Sequence, residues 1–301
     1  MDGKRYLIVT ADDFGIGPAT SQGILDLAEQ GLLSCTVLIV NSPHAEQAVR
    51  AWRQAGAPME LGWHPCLTLD EPVLPAGRVP SLVGRDGRFW GLGQFLKRVC
   101  TGRINAAEVE AELRAQLDRF VALVGRLPVV VNSHQHVQLF QPVGDILLDL
   151  LGRRRPLPYV RRIREPWGML WRVPGARLKR TVLSWLGRRD ARQQAMYGFP
   201  GNDWLAGITD PRWVADPQFL VRWLSGVPGR VVELACHPGH WDDTLVGRDC
   251  TPEDGGTQRR VGEFRRLSET SFREVCERVG FVLTAPSEVR NLHGPRVAHA
   301  A

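Results

Sequence analysis

The sequence predicts a distorted (β/α) barrel of the TIM type, a single α/β domain with long loop insertions. Three observations carry that expectation. Short β-branched runs alternate with longer amphipathic stretches, the order that builds a parallel sheet covered by helices. At 301 residues, 44% hydrophobic and 23% charged, the chain has the size of one such barrel and the apolar content of a folded core. Polar residues suited to chemistry follow directly after several separate strand-like runs, which favours closure into a barrel over an open sheet.

Taken in order, strands are expected at 6–10, 35–40, 60–63, 129–132, 159–163, 231–236 and 281–284. Helices are expected at 19–30, 45–55, 106–124, 143–151, 218–225 and 258–279. Gly31, Gly56, Gly125, Pro128 and Gly280 mark the junctions, as residues that stop helices and turn chains do. Two stretches, 65–105 and 164–216, break the rhythm and have the length of lids or substrate loops. One domain is expected over 1–301, with a basic, Trp-rich insertion around 164–216. The first apolar run is too short for a signal-peptide core, and no stretch approaches the roughly 18 apolar residues of a membrane span. Six cysteines lie scattered without a CxxC pair, so reduced thiols and a cytoplasmic place are expected.

The net charge of +6 is unevenly spread. Residues 151–192 hold thirteen Lys/Arg against Glu165 and Asp190, which leaves the rest of the chain net acidic. A nucleic-acid binder is not expected from that distribution, and no RNA-binding motif is present. Within 164–192, Trp167, Trp171 and Trp185 are interleaved with arginines, and Leu178, Val182, Trp185 and Leu186 recur at helical spacing. One reading is a basic cover helix on the barrel. The other is a peripheral contact with an anionic membrane, on its inner face, since tryptophan and cations on one amphipathic helix have that profile. Further along, Asn202, Asp203 and Trp204 form a candidate sugar contact, with the indole stacking on a ring; a turn with a core tryptophan is the alternative.

Four motifs carry the chemistry: Asp12-Asp13 in TADDFG, His64 in LGWHP, His134 and His136 in VNSHQHV, and His237 in ELACHPGH. Singly, an aspartate pair after a strand is a turn or a helix cap, and a strand-end histidine is a structural residue. Four such endings converging on one barrel mouth make a site. One carboxylate and two imidazoles suit a catalytic divalent metal, because three protein ligands leave a position open for water. The remaining carboxylate and imidazole are then free to act as base and acid. In an extended strand His134 and His136 share a face and would point into the mouth together.

At these residues the sequence resembles the YdjC-like carbohydrate deacetylases, the family that includes chitooligosaccharide deacetylase and the hopanoid-biosynthesis-associated deacetylase. The likeness runs through TADDFGIGPATSQGILDLAEQGLLSCTVLIVN, LGWHPCLTLDEPV, VNSHQHV and ELACHPG. It implies a distorted α/β barrel and a hydrolase that removes an N-acetyl group from an N-acetylhexosamine; the membrane reading of the basic insertion extends this to a lipid-linked glycan or glycolipid. The rival readings are a soluble chitooligosaccharide deacetylase, a metal-dependent phosphoesterase and a non-catalytic sugar- or membrane-binding barrel. Carried over by motif, the resemblance implies Asp13, His64 and His134 as ligands of a divalent ion, zinc or magnesium, with manganese or cobalt as alternatives. It implies Asp12 as the base and His237 as the acid, and leaves His136 as a contact either to the substrate or to a metal ligand. Where the family often reads DSHHHVH, this chain reads NSHQHVQ. Asn132 keeps an acceptor and loses a charge, a departure that bears on metal affinity and preference.

Overall fold

A computed structural model describes residues 4–251 and 253–292. In chain order the elements are β1 (Arg5–Phe14), α1 (Pro18–Glu29), β2 (Cys35–Leu38), α2 (Ala45–Gln54), β3 (Glu60–Trp63), α3 (Leu92–Cys100), α4 (Ala106–Val124), β4 (Val130–Val131), α5 (Val143–Gly152) and β5 (Tyr159–Val160). There follow α6 (Trp167–Arg172), α7 (Arg177–Met196), β6 (Trp204–Ala206), α8 (Pro211–Val214), α9 (Phe219–Leu224), β7 (Val231–Cys236), α10 (Gly256–Ser268), α11 (Thr270–Arg278), β8 (Phe281–Leu283) and α12 (Pro286–Leu292).

The strands form one sheet in the order β5-β4-β3-β2-β1-β7-β6, with β8 also paired to β1. The pairings are parallel, with Leu7 beside Val232 and Leu283, and Val37 beside Gly62. Helices cover the outside, and the sheet curls into a half-barrel, the α/β barrel-like fold that the alternating pattern predicts. Central β1 is buried along most of its length, which is why it reads as a continuous apolar run rather than an alternation. The longer helices end where local chemistry dictates. Asn105 caps α4 by accepting from the Ala107 N–H at 2.9 Å, and Gly125 closes it in the left-handed conformation.

The two ends of the sheet meet without a strand ladder. Val160 N–H donates to the Pro200 carbonyl and Leu205 N–H to the Arg164 carbonyl, each at 2.9 Å. Between them the Asn202 side chain accepts from Arg162 N–H and donates to the Arg162 carbonyl, both at 2.8 Å. Asn202 thus closes the barrel seam. The strand expected over 159–163 stops at Val160: Arg161 N–H still reaches the Val131 carbonyl at 3.1 Å, but the Arg162 backbone is bonded by the Asn202 side chain instead of a strand.

Two other expectations change. The helix expected at 258–279 divides into α10 and α11 because Glu269 is extended (φ −73°, ψ 146°). The segment 164–216 is not one loop, since it contains α6, α7, β6 and α8. Strand β6 has three residues, too few to show a period. The loop after β3 is pinned to α4: buried Glu112 accepts from the N–H groups of Val73 and Leu74, and Gln116 bonds both polar groups of the Cys66 backbone. That anchoring fixes the backbone just beyond His64. No described helix is long and apolar enough to cross a membrane.

Candidate active site

Adjacent residues on a regular strand face opposite ways, so Asp12 and Asp13 need a device to share one pocket. The β1–β2 register shifts between Ala11 and Phe14, and Asp13 has φ 65°, a left-handed conformation uncommon for a residue with a side chain. The bulge re-aims the pair. Both carboxylates line a pocket of about 720 Å³ at the C-terminal ends of the strands, with His64, His134, His136 and His237. The four motifs do converge.

The Asp13, His64 and His134 ligand atoms lie within 4.8 Å of one another. The Nδ1 of His64 is 2.9 Å from the Asn132 carbonyl oxygen. A carbonyl only accepts, so Nδ1 carries the hydrogen and Nε2 is bare in the neutral ring. That bare nitrogen is 3.2 Å from Asp13 Oδ1, and His134 Nδ1 is 2.9 Å from the same oxygen. A carboxylate facing an unprotonated imidazole nitrogen needs a cation or a proton between them, and the donor set fits a divalent ion. The His134 Nε2 is buried with no hydrogen-bond partner among the described residues; the Asp249 carboxylate lies 3.9 Å away. Burial works against ionising Asp13, but Arg260 at 2.7 Å and then His134 hold its carboxyl well below the usual range. The same pairing raises His134 despite its burial.

Asp12 sits in a different set of partners. Arg161 grips it with two bonds, Nη1 to Oδ2 at 2.6 Å and Nη2 to Oδ1 at 2.8 Å. Asn132 Nδ2 donates to Oδ1 at 3.2 Å. Burial alone would raise this carboxyl, and the guanidinium more than reverses that, pulling it down to about 2. The asparagine where the family often has aspartate therefore gives Asp12 a donor, where an aspartate would give it a like charge. Below lies the barrel interior. There Glu233 accepts from Arg161 Nε at 2.7 Å, Thr10 Oγ1 at 2.8 Å and Tyr159 OH at 3.0 Å. Fully buried Arg161 thus spans two carboxylates.

His237 follows β7 on the same rim. Its Nε2 is 3.9 Å from Asp12 Oδ2, and its Nδ1 is 3.9 Å from Glu263 and 3.4 Å from Arg259. Burial and then Arg259 push the imidazole down to about 4, so it is neutral at pH 7. His136 also lines the pocket, but not as a strand neighbour of His134. The chain at 134–139 is a tight 3-10 turn, with Gln135 and His136 at φ 51° and 58°. Burial, and then Arg161, push His136 well below its usual range, and its Nδ1 has no partner among the described residues.

Asn202, Asp203 and Trp204 are not brought to this pocket, and the expectation of a sugar contact there is corrected. Asn202 is spent on the seam. Asp203 accepts from the N–H groups of Arg230 and Val231, both at 2.9 Å, and the Trp204 ring lies against Arg164. All three are structural. Conversely, reading the sequence missed Arg161, Glu233, Asp249 and Arg260. Arg161 had a signal, since it stands just past a strand end, as the four motifs do; it was hidden among neighbouring arginines. His240 bonds Asp26 at 2.6 Å and is not among the pocket-lining residues.

The model of the YdjC-like protein family matches residues 6–278. The chain belongs to the YdjC-like family. Among curated YdjC-like relatives, a carbohydrate deacetylase of Geobacillus stearothermophilus is 35% identical over 276 residues, covering 91% of this chain and 94% of that one. A chitooligosaccharide deacetylase of Serratia marcescens is 29% identical over 285 residues, covering 93% and 97%. A crystallised Enterococcus faecalis protein, described in terms of cellobiose-phosphate cleavage, superimposes with a TM-score of 0.72 at 24% identity, covering 95% of this chain and 99% of that one. That likeness is one of fold.

Proposed function

We propose that this YdjC-like chain is a metal-dependent carbohydrate N-deacetylase that hydrolyses the acetamide of an N-acetylhexosamine. The observation that carries the reading is the bare His64 nitrogen and His134 facing the Asp13 carboxylate, with a second, separately held carboxylate beside them. The deacetylase names of the relatives support the reaction class. Asp13, His64 and His134 would hold a divalent ion, which supplies a Lewis acid that lowers the pKa of a water towards about 7 and stabilises an oxyanion. Mixed nitrogen and oxygen donors favour zinc, manganese or cobalt over magnesium, which prefers oxygen.

The chain's own groups divide the proton work. Asp12 stays ionised under Arg161 and is oriented on both oxygens, so it accepts the proton of the attacking water. Neutral His237 then takes that proton at Nε2, 3.9 Å away, and delivers it to the departing amine, which is a poor leaving group until protonated. The sums balance: amide and water become acetate and amine. His136, neutral and with an unpartnered nitrogen, is a substrate contact in this reading.

The finer reading keeps one domain over the whole chain, with the amino sugar carried by a lipid-linked glycan or glycolipid. The enzyme then works in the cytoplasm, at the inner face of the membrane. A soluble chitooligosaccharide is the rival substrate. Phosphoester hydrolysis would want free cations at the mouth; Arg259 is paired with Glu263 at 2.7 Å and Arg260 with Asp13 and Asp249, which leaves Lys179 among the cations lining the pocket. The test is acetate release from N-acetylglucosaminyl lipids and chitooligosaccharides, side by side with a phosphoester panel. Acetate from neither sugar substrate sinks the reading.

A further inference from the structure

Helix α7 buries a mostly polar face and exposes large apolar side chains. Its buried residues are Arg180, Leu183, Ser184, Gly187, Asp190, Ala191 and Gln194, only two of them apolar with a side chain, while Leu178, Val182 and Trp185 point outward at 80%, 46% and 69% exposure. Surface helices normally show the reverse. The inversion is built, not accidental. Arg180 is fully buried and paired with Glu165, and it also donates to the carbonyls of Val173 and Met169. Gly187 lets the helix backbone press against the Ile163 carbonyl, where a Cβ would lie 1.6 Å away. Most polar groups of the inner face are thus paired, and the apolar outer face has no partner among the described residues. Helix α6 adds Trp167 and Trp171, 56% and 76% exposed.

The charges on this face are of one sign. Within 164–197, Arg172, Arg177, Lys179, Arg189 and Arg192 are exposed, whereas the two acidic residues, Glu165 and Asp190, are buried. Arg188 and Arg177 stack on Trp167 and Trp171, 4.7 and 5.8 Å from the ring centroids. A second cavity of about 380 Å³ opens here, lined in part by Trp185, Arg188, Arg189 and Arg192.

We infer that the outer face of α6 and α7 docks on an anionic lipid bilayer. Indole and leucine side chains would enter the interface while the arginines meet phosphate headgroups, the 380 Å³ cavity being a socket for one of them. A second copy meeting this face with its own would set arginines against arginines with no acidic residue between, so self-association is disfavoured. Leu178 and Val182 belong both to this face and to the lining of the 720 Å³ pocket. Docking therefore presents the pocket mouth to the lipid surface. This last consequence rests on the deacetylase reading; the docking itself does not.

The test is vesicle flotation of the full chain, read without turnover, so its failure is separate from any failure to release acetate. Phosphatidylcholine vesicles with and without phosphatidylglycerol are compared at low and high salt. The wild type is expected to partition at least about tenfold more strongly onto the anionic vesicles, with the preference falling at high salt. The pair Trp171→Ser/Trp185→Ser and the triple Arg177→Gln/Arg189→Gln/Arg192→Gln are each expected to lose most of that binding. Both sets are exposed, and circular dichroism and thermal melts matching the wild type confirm their folding. Failure of the wild type to float overturns the proposal, as does equal flotation of the folded variants. A wild-type dimer in sedimentation that the tryptophan pair converts to monomer would also overturn it, by assigning the face to a second copy.

Discussion

Arg161→Met would remove the one cation shared by Asp12 and Glu233 while keeping much of the side chain's bulk. All three groups are buried, and the guanidinium makes two bonds to Asp12 and one to Glu233. Removing one partner of a buried ion pair costs about 3–5 kcal/mol, because the orphaned charge cannot return to water. The cost should depend on pH with a definite sign. In the wild type, Asp12 is depressed from 3.8 to about 2, so its contribution is fully present above 3.8 and is lost as pH falls through about 2. That gap is worth roughly 2.5 kcal/mol. In the variant, Asp12 lacks its cation, so burial raises it, and the penalty is felt above the unfolded-state carboxylate range and relieved below it. Urea unfolding at pH 7 and pH 4.5 measures both ends. The account expects the wild-type–variant gap to be largest at pH 7 and to shrink at pH 4.5. A loss below about 1 kcal/mol at pH 7, or the same loss at both pH values, would refute the reasoning.

Other perturbations test other parts. Burial raises Asp190, on the inner face of α7, to about 7. Stability should therefore fall as pH rises from about 4 through about 7, and the gap from 3.8 is worth roughly 4 kcal/mol. Asp190→Asn should stabilise the protein at pH 8 and have little effect at pH 4 in denaturant titrations; equal effects at the two pH values would count against that burial. Gly187→Ala must push α7 off the Ile163 carbonyl, and should cost about 1–3 kcal/mol by thermal or chemical unfolding. A neutral result would mean that α7 packs more loosely. Asp13→Asn and His134→Ala should each weaken zinc binding at least about tenfold in competition with a chromogenic chelator, and wild-type affinity in either would dismantle the ligand set.

The barrel was legible because its signal is local. Runs such as those containing Val9, Val37 and Val232 announce buried parallel strands, and the residue that follows a strand lands at the mouth wherever the strand sits in the sequence. That rule found Asp12, Asp13, His64, His134 and His237. Long-range pairing leaves no local trace. Arg161 belonged to a charge run in the sequence and to the barrel interior in three dimensions, and only Glu233 and Asp12, both far away in the chain, explain it. Asn202 and Trp204 have the composition of a sugar platform, yet the seam and β6 use them. The extended-strand argument for His136 failed because two consecutive left-handed residues turn the chain. The exposed tryptophans of α6 and α7 follow from helical spacing, but their inverted amphipathy depends on Arg180 finding Glu165 inside.

The most direct test of the central claim is acetate release from N-acetylglucosaminyl substrates, soluble and lipid-linked, by metal-stripped protein with divalent ions added back one at a time. The account predicts release that requires the added metal and is abolished in Asp13→Asn, with Asp12→Asn retaining metal binding but losing turnover. Metal-independent release, undiminished activity in Asp13→Asn, or no acetate with any ion and either substrate would contradict it.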